Sequence, residues 1–372
     1  MKNVPSSAWI GENIVPQFPF EGEFADAEVY GSGHINDTFD PHFRLPDGSV
    51  KRYILQRINT NVFRNPDELM ANIAGVTTFL GKIIAEAGGD PARETLTVLK
   101  TKDGSDYYRD AEGGCWRVYL FIEGTVSYDL VENADDFYKS ARAFGQFQMR
   151  LADYPAATLH ETIPKFHNTI DRFEKLKKAI AEDKLGRAKG VQAEIGFALA
   201  READTHVLLD LQAAGKIPLR VTHNDTKLNN ILIDEKTGQG LCVIDLDTVM
   251  PGLAHYDYGD SIRFGASTAL EDEKDLDKVT MDLGLFEVFT KGFLESAGGV
   301  LNAVEKETLP WGAKLMTFEC GIRFLTDYLE GDTYFKVHRE GHNLDRCRTQ
   351  FKLVADMEAK WDQMKAIVAK YS

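Results

Sequence analysis

The segment Val221-Thr222-His223-Asn224-Asp225-Thr226-Lys227-Leu228-Asn229-Asn230-Ile231-Leu232-Ile233 sets an Asp and an Asn five residues apart, just ahead of an apolar run. A turn at Gly238–Gly240 follows, and then Val243-Ile244-Asp245-Leu246-Asp247. If the two apolar runs pair as a hairpin, Asp225, Asn230 and Asp245 converge at its open end. That grouping suits phosphoryl transfer, which asks mainly for positioning and for neutralisation of charge on the transferring group. A carboxylate plus an amide carbonyl are hard oxygen donors of the kind Mg²⁺ takes. One further carboxylate, Asp225, would face the acceptor hydroxyl and take its proton, typically contributing about 10²–10⁴-fold.

The elements that must position these groups can be read from turn signals. Asp47-Gly48 separates His42–Leu45 from Lys51–Arg57, and Asp103-Gly104 separates Leu96–Thr101 from Asp106–Arg109. Glu112-Gly113-Gly114 precedes Cys115–Phe121. Short Val-, Tyr-, Phe- and Leu-rich runs joined in this way predict a small antiparallel sheet. One helix interrupts it: Asn65 is placed as N-cap with Pro66 at the first helical position, and Glu68 completes a capping-box pattern. Leu69, Ile73, Val76, Leu80, Ile83 and Ile84 recur at helical spacing until Gly88-Gly89. After Glu123-Gly124 the texture becomes mostly helical. This predicts an α+β chain with a boundary near residues 122–124: an N-terminal nucleotide-binding lobe over 1–122 and a C-terminal catalytic lobe over 123–372.

His223-Asn224-Asp225 with Asn230, followed by Ile244-Asp245-Leu246-Asp247, resembles the catalytic and metal-binding loops of the aminoglycoside phosphotransferase family. The resemblance implies a bilobal, protein-kinase-like fold with a small antiparallel-sheet N-lobe and a mostly helical C-lobe. It implies ATP as phosphoryl donor and Mg²⁺ as cofactor. It assigns Asp225 as catalytic base and Asn230 and Asp245 as metal ligands, with Asp247 reaching a second ion. Tyr30-Gly31-Ser32-Gly33 matches the loop over the phosphates, and Phe121 to Gly124, with Ile122 and Glu123, matches the hinge that meets adenine. Further segments, among them Gly31 to Asn36, Tyr53 to Gln56, Asp257 to Phe264 and Asp327 to Asp332, are similar to members that phosphorylate the anomeric hydroxyl of N-acetylhexosamines (GlcNAc or GalNAc). By that similarity Arg323 and Tyr334 hold the sugar, His34 helps, and His223 has a hydrogen-bonding role. On its residues alone Arg323 also reads as a buried, paired arginine, and Lys227 as an exposed loop lysine. The rivals are a kinase of another hydroxylated acceptor, aminoglycoside- or choline-like, and a nucleotide-binding pseudokinase.

One position departs from the family pattern. The third-strand lysine that grips the α- and β-phosphates in kinase-like folds is replaced by Gln56, and alternation sends the neighbouring Arg57 to the opposite face. The chain is also acidic, with a formal charge of −15 over 372 residues, so a polyphosphate needs a local cationic device. That charge and the lack of a basic patch argue against nucleic acid or a membrane surface as partner. No run approaches about 18 consecutive apolar residues. Cys115, Cys242, Cys320 and Cys347 are widely spaced, without metal or disulfide patterning. A cytoplasmic monomer binding ATP and a small sugar is the expectation.

Overall fold

The computed structural model describes residues 4–31, 35–128 and 133–372, and these form two compact units. The first comprises Met1–Val126, Thr158–Pro164 and Leu232–Val249; the second comprises Ser127–Ala157, Lys165–Ile231 and Met250–Ser372. After residue 126 the chain therefore returns twice to the first unit.

The first unit is built on an antiparallel sheet in the order β1 (Glu23–Val29), β2 (Asp37–Arg44), β3 (Val50–Ile58), β5 (Cys115–Leu120), β4 (Tyr108–Arg109). Asp47-Gly48 makes the β2–β3 turn, with Gly48 at φ +85°, a conformation open to glycine at little steric cost. Tyr53, Leu55, Trp116 and Val118 pack with Phe39, Phe43 and the N-terminal Ile10 and Ile14 to form its core. The expected strand over Leu96–Thr101 does not form. Leu99 and Leu120 bond irregularly across to Val118 and Thr97, while Thr101, Asp103 and Ser105 close a side-chain-bonded turn that competes with ladder pairing.

The helix Pro66–Glu86 starts where Asn65 Oδ1 accepts the Glu68 N–H, and it buries Leu69, Ile73, Val76, Leu80 and Ile84. By length and composition it would also pass as a membrane span, but its apolar stripe is buried inside the protein. A second sheet of this unit has the order β6 (Thr125–Val126), β8 (Ile231–Asp234), β9 (Gly240–Val243). β8 begins one residue after Asn230 and β9 ends two residues before Asp245, so the expected hairpin forms.

The second unit is mostly helical. Ala254–Gly265 packs on Leu309–Glu330 so closely that a β-carbon on Gly259 would lie 2.2 Å from the Gly312 carbonyl oxygen. One core gathers Phe137, Tyr258, Ile262, Phe286, Phe289 and Phe293, and another Phe173, Leu176, Phe318, Ile322 and Phe351. A two-stranded ribbon, β7 (Arg220–Thr222) with β10 (Met250–Gly252), leads into the Asp225 loop.

Candidate active site

In the second unit, the chain leaves β7 at His223 and turns through Asn224 at φ +65°, a left-handed conformation that Asn tolerates better than most residues. The turn is held by one buried carboxylate. Asp257, on the Ala254–Gly265 helix, accepts the N–H groups of His223 (3.0 Å) and Asn224 (2.8 Å), and Gln148 Nε2 donates to it at 2.6 Å. Burial pushes the Asp257 carboxyl up from its ordinary pKa, against the pull of His223 and these donors. One turn along, Asp260 accepts the Thr226 N–H (3.1 Å) and a forked contact from Arg263 (3.1 and 3.0 Å). Burial alone would raise Asp260, but Arg263, Lys227 and His167 outweigh it and hold the carboxyl below the usual range.

His223 is fully buried, and its Nδ1 accepts the Asp225 N–H at 3.3 Å, which matches the hydrogen-bonding role expected of it. Asp225 is half-buried. Asn230 Nδ2 donates to its carbonyl (2.8 Å) and to Oδ2 (3.2 Å). Lys227, expected as an exposed loop lysine, instead pairs with Asp225 Oδ1 at 2.8 Å while keeping 41% of its side chain exposed. Burial pulls the Lys227 ammonium down, and the Asp225 charge more than restores it.

A second cluster of this unit lies beside the loop. His167 sits between the Asn224 carbonyl (3.3 Å) and Glu319 Oε1 (3.0 Å), and Arg323 Nη1 is 3.9 Å from the same carboxylate oxygen. The Arg323 guanidinium is surrounded by the rings of Phe166, Phe335 and Tyr334 at 5.6, 5.4 and 5.9 Å. Tyr334 is 67% exposed, on a loop whose Thr333, Tyr334 and Phe335 N–H groups are all accepted by Asp327. Glu319 Oε2 is buried without a hydrogen-bond partner among the described residues.

In the first unit, Asp245 is exposed and, like Asn224, sits in the left-handed region at φ +58°. Asp247 is buried: Asn36 Nδ2 donates to its Oδ2 at 2.6 Å, and Arg117 Nη1 stands 2.5 Å from Oδ1. Gln56 donates from Nε2 to Thr38 Oγ1 (3.1 Å) and accepts from Arg117 Nε and Nη2 (3.0 and 2.8 Å). At the expected hinge, the Ile122 carbonyl accepts from Thr125 Oγ1 (2.8 Å) and the Glu123 carbonyl from Arg93 Nη2 (3.1 Å). Arg52 stacks over Phe121 at 3.6 Å. Gly31 is at φ +73°, as a tight glycine turn requires; Ser32, Gly33 and His34 lie outside the described residues.

Residues 26–280 match the model of the phosphotransferase enzyme family. The chain belongs to that family. Three solved structures share its fold. An aminoglycoside phosphotransferase from Alicyclobacillus acidocaldarius is 11% identical over 96% of this chain and 95% of its own, with a TM-score of 0.62. A microcompartment-associated aminopropanol kinase is 14% identical over 94% and 96%, with a TM-score of 0.56. A choline kinase from Cryptosporidium parvum is 14% identical over 93% and 92%, with a TM-score of 0.53. The expected protein-kinase-like α+β class, with an antiparallel sheet early and helices late, is therefore the fold of this phosphotransferase.

Within the second unit the structure brings Asp225 together with Asn230, and Arg323 together with Tyr334. Within the first it ties Gln56 to Asp247 through Arg117. Sequence reading missed His167, Glu319, Asp257 and Arg117. Asp257 stands in a segment already singled out by resemblance, and Arg117 is the register partner of Gln56, a pairing that only the sheet reveals. No cluster of three or more His, Cys, Asp or Glu suited to a metal occurs among the described residues. The amide oxygen of Asn230 and the carboxylate of Asp245 still fit Mg²⁺, which is commonly held by one or two protein oxygens, with water and substrate phosphates completing its shell.

Proposed function

We propose that this phosphotransferase moves the γ-phosphoryl group of ATP onto the anomeric hydroxyl of an N-acetylhexosamine. The observation that carries the choice of acceptor is Arg323. An aromatic cage is how proteins hold quaternary amines, and here the three rings that could form one are already occupied by the protein's own guanidinium. A guanidinium offers only donors, so its preferred ligand carries hydroxyl and carbonyl oxygens rather than positive charge. The line Asn224–His167–Glu319–Arg323 links that donor to the residue before Asp225.

In this reading Asp225 accepts the proton of the acceptor hydroxyl as its oxygen bonds to the γ-phosphorus and the bridging oxygen departs with ADP. An anomeric hydroxyl is more acidic than an ordinary alcohol, so an unexceptional carboxylate suffices as base. Lys227 and Asn230 hold the Asp225 carboxylate in one orientation, which is the positioning such transfers depend on. Asn230 and Asp245 would hold Mg²⁺, which when bound neutralises charge on the phosphates. Backbone groups at 122–123 and the loop beginning at Gly31 would hold the nucleotide.

The alternative acceptor is a small cation, since solved kinases of this fold include choline and aminopropanol kinases. Glu319, with its second oxygen unpartnered among the described residues, is the observation in its favour. Phosphorus NMR after incubation with Mg-ATP and N-acetylglucosamine, beside choline and an aminoglycoside, separates the two. A signal for phosphate on C1 of the sugar supports the reading, and turnover with the amines alone rejects it. Asp225→Asn should lower turnover by about 10²–10⁴-fold while nucleotide binding survives; a fully active variant ends this mechanism.

A further inference from the structure

Thr38, Gln56 and Arg117 are direct register partners across β2, β3 and β5, so their side chains share one face of the sheet. The bonding along this row fixes the Gln56 amide: its NH₂ meets the Thr38 hydroxyl and its oxygen meets two N–H groups of Arg117. Turned around, the amide would set NH₂ against a guanidinium. A lysine at position 56 would place a second cation there. The guanidinium is 1% exposed, and its remaining side is occupied by Asp247 and the sulfur of Met70 at 4.0 Å.

A buried cation requires a partner, because leaving either charge uncompensated in the interior is strongly unfavourable. The partner here is Asp247, two residues after Asp245. The Arg117–Asp247 contact is short, yet Asp247 Oδ1 accepts no well-directed hydrogen bond, so charge rather than directed bonding holds it. The other oxygen is held by Asn36, whose Oδ1 in turn accepts the Asn59 N–H at 2.9 Å.

We infer that Arg117 supplies from β5 the cation that Gln56 does not supply from β3, and that it acts as a positioning residue: it anchors Asp247 and so fixes the loop that presents Asp245 to the metal–nucleotide complex. Asp247 is then an anchor rather than a ligand of a second ion. The inference rests on the proposed nucleotide- and metal-dependent function.

The test is calorimetric titration of the full chain with MgADP and with ADP in EDTA. Arg117→Met should weaken MgADP by about tenfold or more and leave metal-free ADP little changed, and Arg117→Lys should restore part of the loss. The transposed variant Gln56→Lys/Arg117→Gln, which returns a cation to the same row, should bind MgADP better than Arg117→Gln alone. Asp247→Asn should weaken MgADP to a similar extent without adding to the effect of Arg117→Lys. MgADP affinity unchanged in either Arg117→Met or Asp247→Asn, in chains that melt as the wild type does, overturns the inference. Should Arg117→Met fail to fold, additive losses for Asp247→Asn and Arg117→Lys overturn it equally. A wild-type chain that binds no MgADP rejects the proposed function instead.

Discussion

The Asp257 carboxylate offers the sharpest test of how the catalytic loop is held. Asp257→Asn preserves volume but removes the charge that accepts N–H groups from His223 and Asn224 and an amide from Gln148. Hydrogen bonds to a charged acceptor contribute about 1.5–3 kcal/mol each, and an amide oxygen can still satisfy one of the three donors. Its own NH₂ then confronts another. Relief from burying a charge offsets part of the loss, because Asp257 is fully buried. The net expectation is about 2–4 kcal/mol of local stability, which is about 30- to 900-fold faster opening of the 221–231 segment. Hydrogen-exchange mass spectrometry reads this directly in a peptide spanning those residues, and the Phe286–Phe293 region of the same unit serves as internal reference. Turnover should fall with it, since Asp225 follows the two amides that lose their acceptor. Wild-type exchange across 221–231 in a folded Asp257→Asn chain would refute the reasoning.

Two further outcomes follow from packing and from charge. Gly259→Ala places a methyl group 2.2 Å from the Gly312 carbonyl and should destabilise the chain by about 1–3 kcal/mol, seen as a lower urea midpoint; an unchanged midpoint would mean that the two helices separate freely. Burial of His255 lowers its pKa from 6.5 to about 4, so the unfolded chain binds the extra proton between those values and stability falls as pH drops through that window. The wild type should lose about 2 kcal/mol from this group between pH 7.5 and 5, and His255→Asn should lack that part of the slope; parallel wild-type and variant profiles would contradict the assignment.

What was legible in the sequence was local. Asp225 and Asn230 occupy one loop, and a five-residue spacing within a loop constrains their meeting without help from distant chain. The Asp47-Gly48 hairpin and the Asn65 cap are likewise decided within a few residues. What was not legible depended on register between distant segments. Alternation sent Arg57 to the far face correctly, where it stacks near Trp116, but could not show that Arg117 lies opposite Gln56. The same holds for Asp257 and for Glu319, each carried on a helix to a loop whose need for a carboxylate is a matter of three-dimensional packing. The failed strand at Leu96–Thr101 shows the reverse error. Its composition suits a strand, but the Thr101–Ser105 turn captured the backbone first.

Of the five described non-glycine residues with positive φ, two are Asn224, immediately before the proposed base, and Asp245, a proposed metal ligand. A left-handed conformation is unfavourable by roughly 1–2 kcal/mol for an L-residue, and it persists where surrounding structure over-determines it. In each unit that surrounding structure is a buried charge two or more residues removed from the reacting groups: Asp257 gripping the amides of 223–224, and Arg117 gripping the carboxylate of Asp247. The two devices have opposite sign. An anion collects N–H donors on the loop of the base, and a cation collects a carboxylate on the loop of the metal ligand. Each leaves the reactive carboxylate itself, Asp225 or Asp245, outside the buried pair. A chain of net charge −15 that handles polyphosphate thus keeps its strongest buried charges as fixtures, and leaves the solvent-reaching oxygens for chemistry.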